Sequence, residues 1–350
     1  MKEYKPKHGV PKPKSHLLRW LAVIICLGII VTAFHEFRIW KTSTDQAVVG
    51  NKKALPQKLK DKHPFSILVM GTDVGSLGRG TSYAGNTDTM ELITVNPQQK
   101  KILMVAIPRD ILVKINAKQG TKYAKINAAY AIGGAKLAKK QVSELLDVPV
   151  DYYALLNMGT LKKVVNAVGG VDVNNPFAFT YEGHHFKKGK QHLNGNEALK
   201  YSRMRYDDPN NDYGRQKRGQ QILSSAIDSF KQHGSISAAN KIILATKDGI
   251  RTDMPINNIV SLYLNYHKAM DNTERTHLQG KDAIIEGTSF QIATPKEMNK
   301  TSKVIRSSLD LDSTTVDNNE TAMYHQQTHW NGYNKLGFRL PNNARYNVFE

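Results

Sequence analysis

From residue 17 to residue 34 the chain reads LLRWLAVIICLGIIVTAF, eighteen mostly apolar residues with a single charge, Arg19. A run of that length predicts a membrane-spanning helix, expected over residues 17–37. Trp20 and Trp40 bracket it. At a rise of about 1.5 Å per residue they stand roughly 30 Å apart, the separation of the two bilayer interfaces. A cleaved signal peptide would need a shorter run and a small-x-small site after it, which Ala33-Phe34-His35-Glu36-Phe37 does not supply. Lys2, Lys5, Lys7, Lys12 and Lys14 precede the run with only Glu3 opposing them. The positive-inside rule therefore predicts a cytoplasmic basic tail over residues 1–16, a single-pass cell-membrane anchor and an extracellular remainder.

Beyond the anchor the pattern changes. Residues 38–63 are polar and aperiodic, and read as a linker. Short apolar runs at 65–70, 90–95 and 102–107 predict three buried strands, the last two joined by a turn at Asn96-Pro97. Residues 127–146 carry Ala128, Ile132, Leu137, Val142 and Leu145 at helical spacing, with Gly133-Gly134 as a break. A strand over 152–156, a helix over 161–168 stopped by Gly169-Gly170, and a strand over 171–173 follow. Residues 175–195 read as loop or hairpin, and helices are expected over 197–201, 213–233, 238–245 and 256–270. Interleaved strands and helices predict an α/β sandwich, one sheet between helices, as a domain over 64–308. Residues 309–350, rich in Asn, Asp, Thr and His, read as a loosely ordered tail, with Trp330, Tyr333 and Phe338 as its candidate packing residues.

Composition narrows the chemistry. The net charge is +19, and thirteen Lys/Arg against four Asp/Glu in residues 1–62 supply +9 of it. The folded part is thus basic in its own right. One cysteine, Cys26, inside the apolar run, excludes an intrachain disulfide or a thiolate zinc site. The twelve histidines show no ligand spacing. The Gly-rich stretch 71–85 lacks the Gly-Lys-Ser/Thr ending of a P-loop.

Four features carry candidate chemistry. Asp73 follows the first strand and Asp88 opens the second, so neighbouring strands would bring both to one sheet end. Paired carboxylates there suit Mg²⁺, which takes one or two carboxylates plus waters and phosphate oxygens; loop capping is the plainer role. Arg109 closes the third strand, either as a salt bridge to these aspartates or as a ligand group. Arg203 and Arg205 share one face if residues 202–206 are extended, an arrangement that favours an anion between them or else a solvated face. Arg215 and Arg218 stand three apart at the start of a helix whose stripe is Ile222, Leu223, Ala226, Ile227 and Phe230. Basic side chains in a first turn oppose the helix dipole, which makes sense if both converge on a bound phosphate.

These features fall in blocks that resemble the LytR-CpsA-Psr family of envelope phosphotransferases. The blocks are Gly71-Thr72-Asp73, Asp88-Thr89-Met90, Pro108-Arg109-Asp110, residues 125–130 (KINAAY), Val168-Gly169-Gly170-Val171, Leu193-Asn194-Gly195 with Ala198-Leu199, Arg203-Met204-Arg205, and residues 212–218. They run collinearly over about residues 64–235. The resemblance implies a central mixed sheet flanked by helices. It also implies transfer of an anionic glycopolymer, teichoic acid or capsular polysaccharide, from a polyprenyl-pyrophosphate carrier to peptidoglycan with formation of a phosphodiester. Carried over, Asp73 and Asp88 would bind Mg²⁺. Arg109, Arg203, Arg205 and Arg215 would hold the pyrophosphate, and Asp88 would serve as base. Lys125, Asn127, Asp212, Arg218 and Gln220 would line the substrate, and the lipid would need an apolar tunnel in the sheet–helix core. Where the family places a glutamine, this chain has Gly219.

Two other function classes stay open on sequence. A hydrolase would use the same pocket with water as acceptor. A non-catalytic attenuator would show a diffuse basic surface rather than carboxylates set among arginines. Nucleic acid is not an expected partner, since the domain is placed outside the cell and no recognition motif is present.

Overall fold

The computed structural model describes residues 55–72, 85–117, 120–205, 207–233, 242, 249–255 and 258–347. The expected anchor, Asp73 and most of the helix expected over 238–245 lie outside these residues. Among the described residues no helix is long and apolar enough to cross a membrane.

The centre is a six-stranded mixed sheet in the order β11-β6-β1-β2-β3-β12. Its strands are β1 (Phe65–Thr72), β2 (Thr89–Asn96), β3 (Lys101–Ala106), β6 (Tyr152–Asn157), β11 (Ile250–Thr252) and β12 (Asn272–His277). β1 runs parallel to β6 and β3 parallel to β12, while the other pairs are antiparallel. β1 is apolar at nearly every position because both faces are covered. Leu68 and Met70 join a core with Leu92, Leu103 and Val105. Ile67 and Val69 face the other way, onto Ile93, Met104 and Leu223.

A short helix, α1 (Gln57–Lys60), lies in the stretch expected as a linker and buries Leu59 with Phe65. The first of the two sheet cores packs against α2 (Ala128–Leu146) and α7 (Pro295–Ser308) through Val142, Leu145 and Ile305. α2 breaks where expected: Gly133 is non-helical, and Gly134 has φ 65°, a conformation that favours glycine. Over the opposite face lie α3 (Met158–Ala167), α4 (Gly195–Arg203) and α5 (Asn211–His233). Residues 171–193 resolve the choice of loop or hairpin. β7 (Val171–Asn175) pairs with β10 (Gly189–Leu193) and encloses a smaller hairpin, β8 (Phe179–Tyr181) with β9 (His184–Phe186). Phe179, Phe186 and Tyr201 form the aromatic centre of that lobe.

The largest departures lie in the elements the pattern did not announce. β4 (Leu112–Ala117) pairs with β5 (Gly120–Lys125), and β13 (Gly280–Ile285) with β14 (Thr288–Ala293). The helix expected over 256–270 is shorter, α6 (Ile259–Tyr266), and continues as a 3₁₀ turn. Residues 309–347, expected as a loosely ordered tail, pack onto the domain. Asn318 caps α8 (Asn319–His325) in a capping box with Thr321. Trp330, Phe338 and Leu340 are buried with Leu112, Phe290 and Ile292, whereas Tyr333 is 82% exposed. The apolar residues there are isolated rather than periodic, and much of the Asn content serves caps and turns, which is why the stretch resembled disorder.

Candidate active site

The register of the sheet gathers the candidate residues at one end. Gly71 pairs with Thr89, Thr72 with Asn157, and His277 with Ala106, so the last residues of β1, β3, β6 and β12 meet the first residue of β2. Gly71 is required by this closeness, since a Cβ there would lie 2.3 Å from Thr89 Oγ1. The Asp88 amide donates to the Gly71 carbonyl at 2.7 Å, anchoring the aspartate just before β2. Arg109 leaves the end of β3 after Ile107-Pro108, and its Nη1 forms an ion pair with Asp88 Oδ1. Nε of Arg109 is buried and bonds no protein acceptor.

α5 brings the second set. It begins at Asn211, two residues before the expected start, so Arg215 sits in its second turn and acidic Asp212 occupies the first. The clash with the helix dipole inferred from sequence is thereby reduced. Arg215 donates from Nε to Asp212 Oδ1 at 2.9 Å and from Nη2 to the Asp88 carbonyl at 2.8 Å, tying the helix to the sheet edge. Burial opposes the charge on Asp212 most strongly. Arg215, the Gln216 amide and Arg109 outweigh it and hold the carboxyl below its usual range.

Arg218 does not join that set. Its guanidinium is 3% exposed, donates from Nε to the Tyr201 carbonyl at 3.0 Å, and is bonded to Asp208 and to the Met204 carbonyl. It also lies over the Phe179 and Tyr201 rings. All three nitrogens serve the connection between α4 and α5, so the expected substrate role gives way to a scaffold role.

The extended Arg203–Arg205 pair is also revised. Arg203 is the last residue of α4, and Met204 leaves the helix with φ −58° and ψ 133°, its side chain buried. Arg203 Nη1 bonds Glu182 Oε1 at 2.8 Å, and Arg205 Nε lies 3.9 Å from Asp212 Oδ1. Both nevertheless line one cavity with Arg109 and Arg215.

That cavity, about 400 Å³, is a groove between the sheet and α5. Its lining combines the four arginines and Asp88 with Val69, Met90, Ile107, Leu156, Leu161 and Leu223. A Cβ on Gly219 would meet nothing within 4 Å, so the missing glutamine leaves open space on the groove side of α5. Gln220 does not replace it: its Nε2 donates to Glu91 Oε1 at 2.6 Å and to the Thr276 carbonyl at 2.8 Å. Glu91 is the groove residue that sequence reasoning missed. Burial pushes its carboxyl up to about 8, partly offset by the Gln220 bond. An acid inside an otherwise apolar strand was the available signal.

Lys125 and Asn127 are not in the groove. They line a second cavity of about 330 Å³ beyond Arg109, where Lys125 Nζ bonds Asp110 Oδ1 at 2.6 Å. Among the described residues no three His, Cys, Asp or Glu side chains cluster as metal ligands. The oxygens at the edge still suit a cation that draws most of its shell from water and phosphate. Asp88 contributes a carboxylate, and the hydroxyl of Thr87 before it is buried without a hydrogen-bond partner.

This geometry coincides with clear relationships. The model of the LytR_cpsA_psr family matches residues 32–307. Biofilm regulatory protein A of Streptococcus mutans is 38% identical over 86% of this chain and 77% of its own. The polyisoprenyl-teichoic acid–peptidoglycan teichoic acid transferase TagU of Enterococcus faecalis is 36% identical, over 82% of this chain and 95% of its own. Among solved structures, protein gbs0355 of Streptococcus agalactiae superposes with TM-score 0.70 at 35% identity, covering 79% of this chain and all of that one. The chain belongs to the LytR_cpsA_psr family.

Proposed function

We propose that this protein transfers a teichoic-acid-type glycopolymer from a polyprenyl-pyrophosphate carrier to peptidoglycan. The observation that carries the reading is the amphiphilic groove: four arginines and a set of apolar side chains line one cavity between the sheet and α5. Arginine forks match phosphate oxygens, and the apolar walls match a lipid chain. No soluble phosphate ester would need both. The relatives named as teichoic acid transferases support the same reaction class.

In this reading Arg109, Arg203, Arg205 and Arg215 hold the pyrophosphate, with Asp212 keeping Arg215 and Gln216 in place. The acceptor hydroxyl oxygen bonds to the phosphorus that carries the glycan. The bridging P–O bond breaks, and polyprenyl phosphate departs with the bridging oxygen. The hydroxyl proton passes to Asp88. Asp73 and Asp88 would hold Mg²⁺, which would offset charge on the phosphate oxygens. The apolar span over residues 17–37 would keep the domain at the outer membrane surface, where a lipid-borne donor is found.

The test is the full chain given a polyprenyl-pyrophosphate glycan, peptidoglycan fragments and Mg²⁺. Glycan joined to the fragments is the expected product. Free glycan alone would make the protein a hydrolase. Neither product, with donor binding indifferent to Arg203→Ala, would sink the groove assignment.

A further inference from the structure

The transfer reading leaves one substrate unplaced. We propose that the cavity on the Lys125 side of Arg109 is the acceptor site, built for a neutral, hydroxyl- and amide-bearing glycan strand. This rests on the transferase reading and extends it.

Position gives the first argument. The groove and this second cavity share only Asp88 and Arg109 among their lining residues. In an in-line displacement the incoming oxygen and the leaving oxygen lie on opposite sides of phosphorus. With the lipid leaving group in the groove, the acceptor must reach the same edge from another side, and this cavity opens there. A third cavity, about 610 Å³, includes Lys217, His277 and Gln279, but neither Asp88 nor Arg109. It shares Arg205 and Gln216 with the groove, so a hydroxyl seated in it would approach the pyrophosphate from the Arg205 side, away from Asp88, the base of this reading.

Charge gives the second argument. Arg109 and Lys125 in the second cavity are matched by Asp88 and Asp110, and Lys125 is already paired with Asp110. The groove instead sets four arginines against Asp88, while burial favours the neutral acid at Glu91. One region therefore suits a polyanion and the other a ligand without net charge.

The walls agree. Asn127 and Asn347 offer carboxamides. Thr288 Oγ1 and Tyr346 Oη bond each other at 2.6 Å, and the Tyr346 ring stands edge-on to Phe290 at 5.5 Å. Hydroxyls, amides and an aromatic surface are the groups that hold the polar rim and apolar face of a sugar. Tyr346 is fixed for this task by the C-terminal segment. The Asn347 amide donates to the Tyr123 carbonyl at 2.7 Å, and Asn347 Oδ1 accepts from the Tyr123 amide at 3.2 Å. Tyr346 and Asn347 are thereby held along β5 as a cavity wall.

The experiment measures transfer by the full chain with the lipid-linked donor and peptidoglycan fragments varied separately. Tyr346→Ala and the volume-conserving Thr288→Val should each raise the acceptor KM, by about tenfold for Tyr346→Ala, with donor KM moving less than twofold. Lys217→Ala in the third cavity should leave acceptor KM unchanged. Both Tyr346→Ala and Thr288→Val, checked for wild-type melting behaviour, with normal acceptor KM would overturn the assignment, as would a rise confined to Lys217→Ala. Wild-type protein that transfers nothing would overturn the transferase reading itself, a different failure from normal transfer that ignores Tyr346.

Discussion

Arg215 and Arg218 are one turn apart on α5, each paired with an aspartate, yet they belong to different parts of the molecule. The Arg218 side chain is enclosed, although a cavity of about 340 Å³ adjoins it. The guanidinium and the Asp208 carboxylate are 3% and 2% exposed, and Gly214 packs so tightly that a Cβ would fall 1.9 Å from an Asp208 oxygen. Around Arg215 the wall is open. The same helix turns Gly219 toward empty space, and the arginine faces a groove. The difference separates scaffold from site: an arginine whose donors are all used by protein atoms orders the chain, while one that lines a cavity together with Asp88 and three further arginines can order a substrate.

The largest expected effect breaks the closed side. Asp208→Ala leaves the Arg218 charge buried and unpaired, which typically costs about 3–5 kcal/mol. Thermal or urea unfolding should show that loss, together with loosening of residues 204–214. A variant as stable as wild type would mean that Arg218 reaches solvent and is not the pin described above.

Next in size is Arg215→Ala on the open side. Removing one preorganised donor to developing phosphate charge costs on the order of 10²–10³ in kcat, and stability should change far less than in Asp208→Ala. Single-turnover transfer at saturating donor checks it. Loss of stability without a specific loss of rate would place Arg215 with Arg218.

The sequence could not make this distinction. Both arginines lay in one motif, at one spacing, on one predicted helix, and only the fold tells which carbonyls each meets. Legibility followed the same line elsewhere. β1, β2 and β3 were readable because strands buried on both faces carry short continuous apolar runs. β12, with the sequence NTERTH, has no apolar signal at all. It is an edge strand held by its ladder to β3, so only the neighbour reveals it. Asp88 and Arg109 were placed together from strand ends alone. Lys125 and Asn127 were expected only as substrate-lining residues, and the side of Arg109 they line could not be read, because the β4–β5 hairpin that carries Lys125 was not visible in the pattern.

Glu91 sharpens the contrast through pH. Its carboxyl lies near 4.5 in an unfolded chain and near 8 in the fold. A group raised on folding contributes stability that is full below about 4.5 and lost as pH rises to about 8. The wild-type melting temperature should therefore fall across that window more steeply than that of Glu91→Gln. Parallel profiles would show that the groove around Glu91 is wetter than its apolar walls imply.

The smallest effects test the two glycines. Gly219→Ala adds a methyl group where nothing stands within 4 Å and removes the entropic cost of glycine in a helix. It should stabilise by about 0.5–1 kcal/mol. Gly214→Ala makes the same change five residues away and should destabilise, because its methyl would meet the Asp208 carboxylate that Arg218 holds in place. Opposite signs for one substitution on one helix would be hard to obtain unless one side of α5 is packed and the other open. If both alanines stabilised, the tight approach at Gly214 would be relaxed in solution. If both destabilised, the groove beside Gly219 would be filled by the protein itself, leaving less room there for a lipid.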